Sequence, residues 1–222
     1  MKIIKPYFQI LSKINSGEIL RNIERAGRVC YKSEDKITDN SAEKFVHMLI
    51  SKGHESVLEH EKISVLFVCD RGVSHELVRH RLASFSQEST RYCDYSKKND
   101  GEIVFIQPPW ITDRNIEIME ALICNFPPSI PETDGIWYRC LQEVSYRYKK
   151  LLKEGWTPQQ ARTILPNSLK TEIVVTANLR EWRLILKQRT SKAAHPQMRE
   201  LMCPLLEEFK QSIPVIFNDI NV

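Results

Sequence analysis

Apolar residues recur along this chain in two rhythms, one helical and one strand-like. In residues 41–52 (SAEKFVHMLISK) Phe45, Met48 and Leu49 fall at helical spacing behind Ser41 as cap, and Gly53 suits the C-terminal end, which predicts a short amphipathic helix. His47 on that helix reads as a packed surface histidine. Residues 63–69 (ISVLFVC) form a β-branched run bounded by charge and predict a strand, whereas 73–82 (VSHELVRHRL) lacks breakers and predicts a helix. Residues 102–106 (EIVFI) predict another strand. The proline-rich stretch 107–135 reads as an irregular insertion with one helix around 116–123.

From Trp137 onward Leu141, Val144, Tyr148, Leu151 and Leu152 recur at near-helical intervals up to Gly155, with Lys149, Lys150 and Lys153 where the helix dipole favours cations. Thr157, Pro158 and Gln160 make a capping-box pattern, so a second helix carries Arg162 before Pro166 ends it. Residues 170–177 (KTEIVVTA) read as a strand, 180–187 as a helix, and Pro196 opens a last helix with Leu201, Leu205 and Phe209 on its apolar side. Strands and helices mixed without regular alternation predict an α+β fold: a mixed or antiparallel sheet flanked by helices, with a helical portion.

The chain has 222 residues, enough for a sizeable core, and is expected to form a single domain, 1–222, with the variable insertion at about 107–135. At 42% hydrophobic and 27% charged residues it is neither disordered nor fibrous in composition. No stretch approaches the ~20 apolar residues of a membrane span. Lys5 and Lys13 interrupt the start and no small-residue cleavage site follows, so a cytoplasmic chain is expected. The six cysteines, Cys30, Cys69, Cys93, Cys124, Cys140 and Cys203, lack a C-x-x-C pair and are expected to be reduced. Glycine is scarce, and neither a dinucleotide-binding G-x-G-x-x-G nor a P-loop occurs.

With a net charge of only +4, a cationic site must be local. Residues 79–91 (RHRLASFSQESTR) supply one: three arginines, a histidine and three serines against the single acid Glu88. Guanidinium forks match phosphate bidentately and hydroxyls add neutral donors, so this patch suits a phosphorylated ligand. A solvated helix followed by a polar loop is the plainer reading of such a run. Glu76, one turn before Arg79 and His80 in the predicted helix, is expected to pair with one of them.

The spacing of Arg79-His80-Arg81, Ser84, Ser89 and Arg91 reproduces RHRxxSxxxxSxR, the signature of flavin-dependent thymidylate synthases, and on these residues the chain resembles that family. GHESVLEH at 53–60 is similar to the family's GHxSxxEH segment, and ARTILP at 161–166 to its ARxxLP; NLREW and RTSKAAHPQMRE (189–200) are family-like as well. The resemblance runs from about residue 41 to 209 and leaves out 107–135.

What the resemblance implies is a homotetramer that binds FAD noncovalently in sites built from several subunits. It would make dTMP from dUMP, with methylenetetrahydrofolate as carbon donor and NADPH as reductant through FAD. Under this resemblance Ser56, Arg79, His80, Arg81, Gln87, Asn178 and Arg180 contact the flavin, and His54 lies near its ring. Glu76, Arg79, Gln87, Ser89, Arg91, Arg162 and Arg189 contact dUMP, and no metal is involved. A guanidinium at the uracil edge, where Arg189 is placed, stabilises charge developing at N3 or O4 and activates C5; it is an electrostatic activator and not a base, since it stays protonated. The plainer roles are a helix C-terminal cation for Arg189 and an exposed helix residue for Arg162.

Two positions depart from the family: Glu76 stands where glutamine is common, and Leu184 where histidine or asparagine is. They keep open a flavin-using paralogue that acts on another pyrimidine nucleotide or is inactive. From a different class, the arginine cluster with Phe85, Tyr92 and Tyr95 and a pI of about 8.7 fits a nucleic-acid-binding module, which would purify colourless. HESVLEH is not a zinc motif, because His54 and His60 are six apart, about 240° round a helix. Ser89 near His80 and Glu88 lacks the G-x-S-x-G elbow of a hydrolase, and Cys93 beside Arg91 reads as a buried or incidental thiol.

Overall fold

The computed structural model describes residues 1–123 and 125–221, with Asn99 described by its backbone alone. Cys124, named above among the thiols, lies outside the described residues. In chain order the elements are β1 (Lys2–Ile4), β2 (Tyr7–Ile10), α1 (Ser16–Val29), α2 (Ser41–Ser51), β3 (Lys62–Asp70), α3 (Arg71–Leu77), β4 (Ala83–Gln87) and β5 (Val104–Ile106). They continue as α4 (Asp113–Leu122), α5 (Glu132–Lys153), α6 (Pro158–Ala161), β6 (Lys170–Asn178), α7 (Leu179–Arg189), α8 (Pro196–Ser212) and α9 (Pro214–Phe217). Strands β2, β3, β6 and β4 pair in that order as an antiparallel sheet, and β1 pairs in parallel with β5, Lys2 opposite Val104. The fold is therefore α+β, as the pattern predicts.

The residues pack as two compact units. The first comprises Met1–Tyr7, Val68–His75 and Gln87–Ile173, and the second Phe8–Phe67, Glu76–Ser86 and the stretch from Val174 on. In the first, Tyr95, Phe105, Leu141, Tyr148 and Leu169 form one buried cluster, and Cys93 packs half-buried against it. Ile111, Ile116, Met119, Ile130 and Tyr138 form another. The stretch 107–135 thus supplies most of a buried cluster shared with Tyr138 of α5 and with Met1 and Ile3, and its helix α4 is capped by Thr112, whose hydroxyl oxygen accepts from Asn115 N–H at 3.2 Å.

The second unit is centred on Trp182 of α7. Its ring meets Phe209 edge-on at 5.6 Å and Phe67 at 6.4 Å, and its indole N–H donates to the Ile63 carbonyl at 2.9 Å, so a large apolar surface is buried without an orphaned donor. Helices α1 and α2 pack through Gly27, where an added Cβ would lie 2.7 Å from Phe45 Cε1. Helix α1 has no counterpart among the predicted elements. Helix α2 begins after Asn40; Ser41, expected as its cap, instead accepts from Thr38 N–H at 2.9 Å and donates to Glu24 at 2.8 Å. At its other end Gly53, with φ +72°, donates to the Ile50 carbonyl while His54 N–H reaches Leu49, a closed pair of bonds that turns the chain sharply toward residues 54–60.

Two boundaries differ most from prediction. Helix α5 starts at Glu132, directly after Pro131, rather than at Trp137. The helix expected over 73–82 ends at Leu77, closed by turn bonds from Arg79 to Glu76 and from His80 to Leu77, and residues 83–87 join the sheet as β4. Nothing in VSHELVRHRL breaks a helix locally; the strand's pairing with β6 overrides its propensity.

Candidate active site

In the second unit the chain passes from β6 straight into α7 at Asn178, whose side-chain oxygen accepts from Glu181 N–H at 2.8 Å and caps the helix. Helix α7 carries Arg180 at its start and Arg189 at its end. Arg189 Nη1 donates to Glu76 Oε2 at 2.7 Å, Nη2 to the Glu76 carbonyl at 3.2 Å, and Nε to His80 Nε2 at 3.0 Å. Glu76 therefore pairs across the fold with Arg189 and not with Arg79 or His80 as expected. The physical reason is the end of α3 at Leu77, which removes the one-turn helical spacing.

His80 is buried, at 6% exposure, while Arg79 and Arg81 on either side are exposed and carry no ion pair among the described residues. Burial and, after it, the Arg189 charge push the imidazole down to about pKa 4. A neutral ring has one accepting nitrogen, and Arg189 takes Nε2 as acceptor, so the ring proton is on Nδ1. That nitrogen faces Glu181 Oε1 at 3.7 Å. Burial holds the Glu181 carboxyl above its usual range.

Glu55–His60 form a 3₁₀ turn, and His54 before it and Ser56 within it face solvent. Arg183, 1% exposed, anchors it: the guanidinium binds Glu55 Oε1 at 3.0 and 3.2 Å, Asp219 through two bonds of 2.6 Å, and the Ile216 carbonyl. Those carboxylates raise the Arg183 pKa against burial, and Arg183 in turn lowers that of Asp219. Beside this anchor lies a cavity of about 380 Å³ lined by Glu55, Asn178, Arg180, Arg183 and Leu184. Arg180 pairs with Glu59 at 2.6 Å, but both are about half exposed, so the pair is weak and can open to a ligand.

In the first unit Ser89, Arg91 and Arg162 come together. Arg91 Nε donates to Gln159 at 2.9 Å and Arg162 Nη1 to the buried Thr90 hydroxyl at 3.3 Å, while Ser89 Oγ accepts from Arg91 N–H at 3.3 Å. The reciprocal pair of Thr157 and Gln160 starts α6 as predicted, but α6 ends at Ala161, so Arg162, expected on that helix, lies in the 3₁₀ turn Arg162–Ile164 that follows. Two guanidinium groups with outer nitrogens to spare and a hydroxyl make a donor-rich anion cradle. Gln87 donates to Ser74 at 2.8 Å and Thr171 at 3.2 Å in the same unit.

The sequence profile of the family described as "Thymidylate synthase complementing protein" matches residues 14–215. The chain belongs to this family. A relative from Mycolicibacterium vanbaalenii, named flavin-dependent thymidylate synthase, is 33% identical over 203 residues, covering 90% of this chain and 79% of the relative. Proteins of the same name from Corynebacterium aurimucosum (32% over 208 residues, 90% and 79% covered) and Pyrococcus furiosus (33% over 177 residues, 79% and 66% covered) are similar as well. Family membership directs attention to the signature, but it does not point to three side chains that hold signature residues in place here. Thr90 and Gln159 brace the two arginines, and Glu181 faces His80. Thr90 was open to view inside the signature; Gln159 and Glu181 carried no signal beyond a capping pattern and the NLREW string.

Proposed function

We propose that this chain catalyses the flavin-dependent methylation of dUMP to dTMP. Methylenetetrahydrofolate supplies the carbon and NADPH the reducing equivalents through FAD. The uracil C5 loses its proton, gains the methylene and receives a hydride; the folate leaves as tetrahydrofolate, because the hydride comes from NADPH and not from the folate ring. Residues 1–222 act as one catalytic domain with 107–135 as a variable addition, in a cytoplasmic homotetramer whose sites draw on several copies.

The observation that carries the reading is Arg189, a half-buried guanidinium held by three bonds to Glu76 and His80. A cation fixed in place before the substrate arrives stabilises developing negative charge without reorganising, which is the role assigned to it at the uracil edge. The donor set also fits FAD: Arg79 and Arg81 are exposed forks suited to its diphosphate, and Asn178 and Arg180 line a cavity beside the turn bearing His54 and Ser56. When bound, the flavin supplies the hydride. Ser89, Arg91 and Arg162 bind the nucleotide phosphate, with Gln87 orienting beside them; Ser89 binds and does not attack. A second reading, a paralogue with another pyrimidine substrate, draws on Leu184, an apolar wall residue where the resemblance implies histidine or asparagine.

Release of tritium from [5-³H]dUMP with methylenetetrahydrofolate and NADPH tests nucleotide, folate and flavin steps together. Release dependent on all three supports the reading. FAD bound without release turns it toward the paralogue, and no FAD binding at tens of micromolar overturns the enzyme reading.

A further inference from the structure

We propose that His80 is a positioning residue for Arg189, its imidazole fixing the guanidinium plane through Nε2. The proposal rests on the function above only in making Arg189 the activating group.

Within the Arg79-His80-Arg81 triplet the side chains divide by direction. The two arginines are exposed, where a ligand's phosphates can reach them, and the histidine between them is buried. Its backbone sits between two turns, His80 N–H reaching the Leu77 carbonyl at 3.1 Å and Ala83 N–H reaching the His80 carbonyl at 3.3 Å, so the ring's entry into the wall is set by the main chain. Inside, Nε2 accepts from Arg189 Nε at 3.0 Å. Glu76 holds the other edge of the same guanidinium through Nη1 and Nη2. A planar group gripped on two edges cannot rotate about its last torsion, and such restraint keeps its remaining N–H directions aimed at one place.

The acceptor must be unprotonated at Nε2. The charged groups facing the ring are Arg189 and Glu181, both from α7, with Glu76 from α3 beyond the guanidinium. Arg189 opposes a second proton on the ring, and Glu181 at 3.7 Å favours the one proton being on Nδ1. Both act to leave Nε2 free to accept.

The test compares His80→Gln, which keeps a neutral acceptor, with His80→Leu, which keeps the volume and removes it. Three quantities are read on the flavin-loaded protein: the Nε–H resonance of Arg189 after ¹⁵N-arginine labelling, FAD affinity by dialysis, and tritium release at saturating dUMP. His80→Leu is expected to lose the slowly exchanging Nε–H signal and about 100-fold in kcat per bound flavin; His80→Gln should keep the signal and recover most of the rate. An unchanged Nε–H signal in His80→Leu overturns the proposal, as does a collapse of FAD affinity with the rate per bound flavin intact, which would make His80 a flavin ligand. Should His80→Leu not fold, the wild type serves: its Nε–H signal should vanish as pH falls through the His80 titration, and a signal persisting beyond it overturns the proposal. The resonance needs no turnover, so an enzyme that releases no tritium but loses the signal refutes the assigned reaction and not the positioning.

Discussion

At the scale of single residues, Glu76 and His80 make opposite kinds of contribution. Glu76 is an anion assigned to a ligand that is itself an anion; were it unpaired at about 4 Å from a phosphate it would weaken binding by roughly 4 kcal/mol at an effective dielectric of 20. Its bond to Arg189 absorbs that charge. The pair is partly exposed, so its worth is about 1 kcal/mol or less. Glu76→Gln is accordingly expected to leave dUMP affinity within about tenfold, or 1.4 kcal/mol, by isothermal titration of the flavin-loaded protein. A hundredfold gain would mean that the natural chain rejects dUMP. His80 binds its proton only near pH 4 in the folded state, against 6.5 ordinarily. Between those values the unfolded chain holds more protons, so stability falls as pH drops, by on the order of 2 kcal/mol from pH 7 to 5. Glu181, raised by burial, acts in the other sense and is present in wild type and variant alike. Urea unfolding at the two pH values should therefore show a smaller acid loss in His80→Gln than in wild type; equal losses would remove His80 as the cause.

At the scale of elements, the turn bearing His54 and Ser56 depends on how α1 and α2 end and pack. Gly53 needs its left-handed backbone, but a Cβ there meets nothing within 4 Å, so Gly53→Ala carries a backbone penalty alone, about 1 kcal/mol. Gly27 is the reverse case. It lies inside α1, where alanine is the better helix former, yet its Cβ would be 2.7 Å from the Phe45 ring. Overpacking of this kind costs about 1 to 3 kcal/mol. Gly27→Ala should lower the urea midpoint, and Phe45→Leu in the same chain should restore part of it; stabilisation by the single variant would show that the two helices separate freely.

For the whole molecule, the proposed multi-subunit site requires association. Tyr31, Leu82 and Tyr92 are each about three-quarters exposed and offer apolar side chains to a second copy. Light scattering on the eluting protein should give about four times the 26.0 kDa chain mass, and Leu82→Glu should shift it downward. A monomer mass together with full FAD binding would confine the site to one copy. No described helix is long and apolar enough to cross a membrane.

Local chemistry was enough to read those parts of the protein that depend on neighbours in sequence. The 3.6-residue recurrence from Leu141 to Leu152, the Thr157 and Gln160 pair, the glycine after α2 and the β-branched runs of β3 and β6 all act over a turn or a few residues, and each element formed near its predicted place. The density of arginine and hydroxyl groups in 79–91 belongs to the same class, because it is a property of the segment alone. Direction does not show in composition. That His80 turns inward between two outward arginines follows from the end of α3 and the pairing of β4, and a strand as short as ASFSQ is formed only where β6 offers it a partner. The bonds from Arg189 to Glu76 and His80 join residues 113 and 109 positions apart. No spacing rule reaches that far; only the packing of α7 beside the end of α3 decides which carboxylate and which imidazole a guanidinium meets.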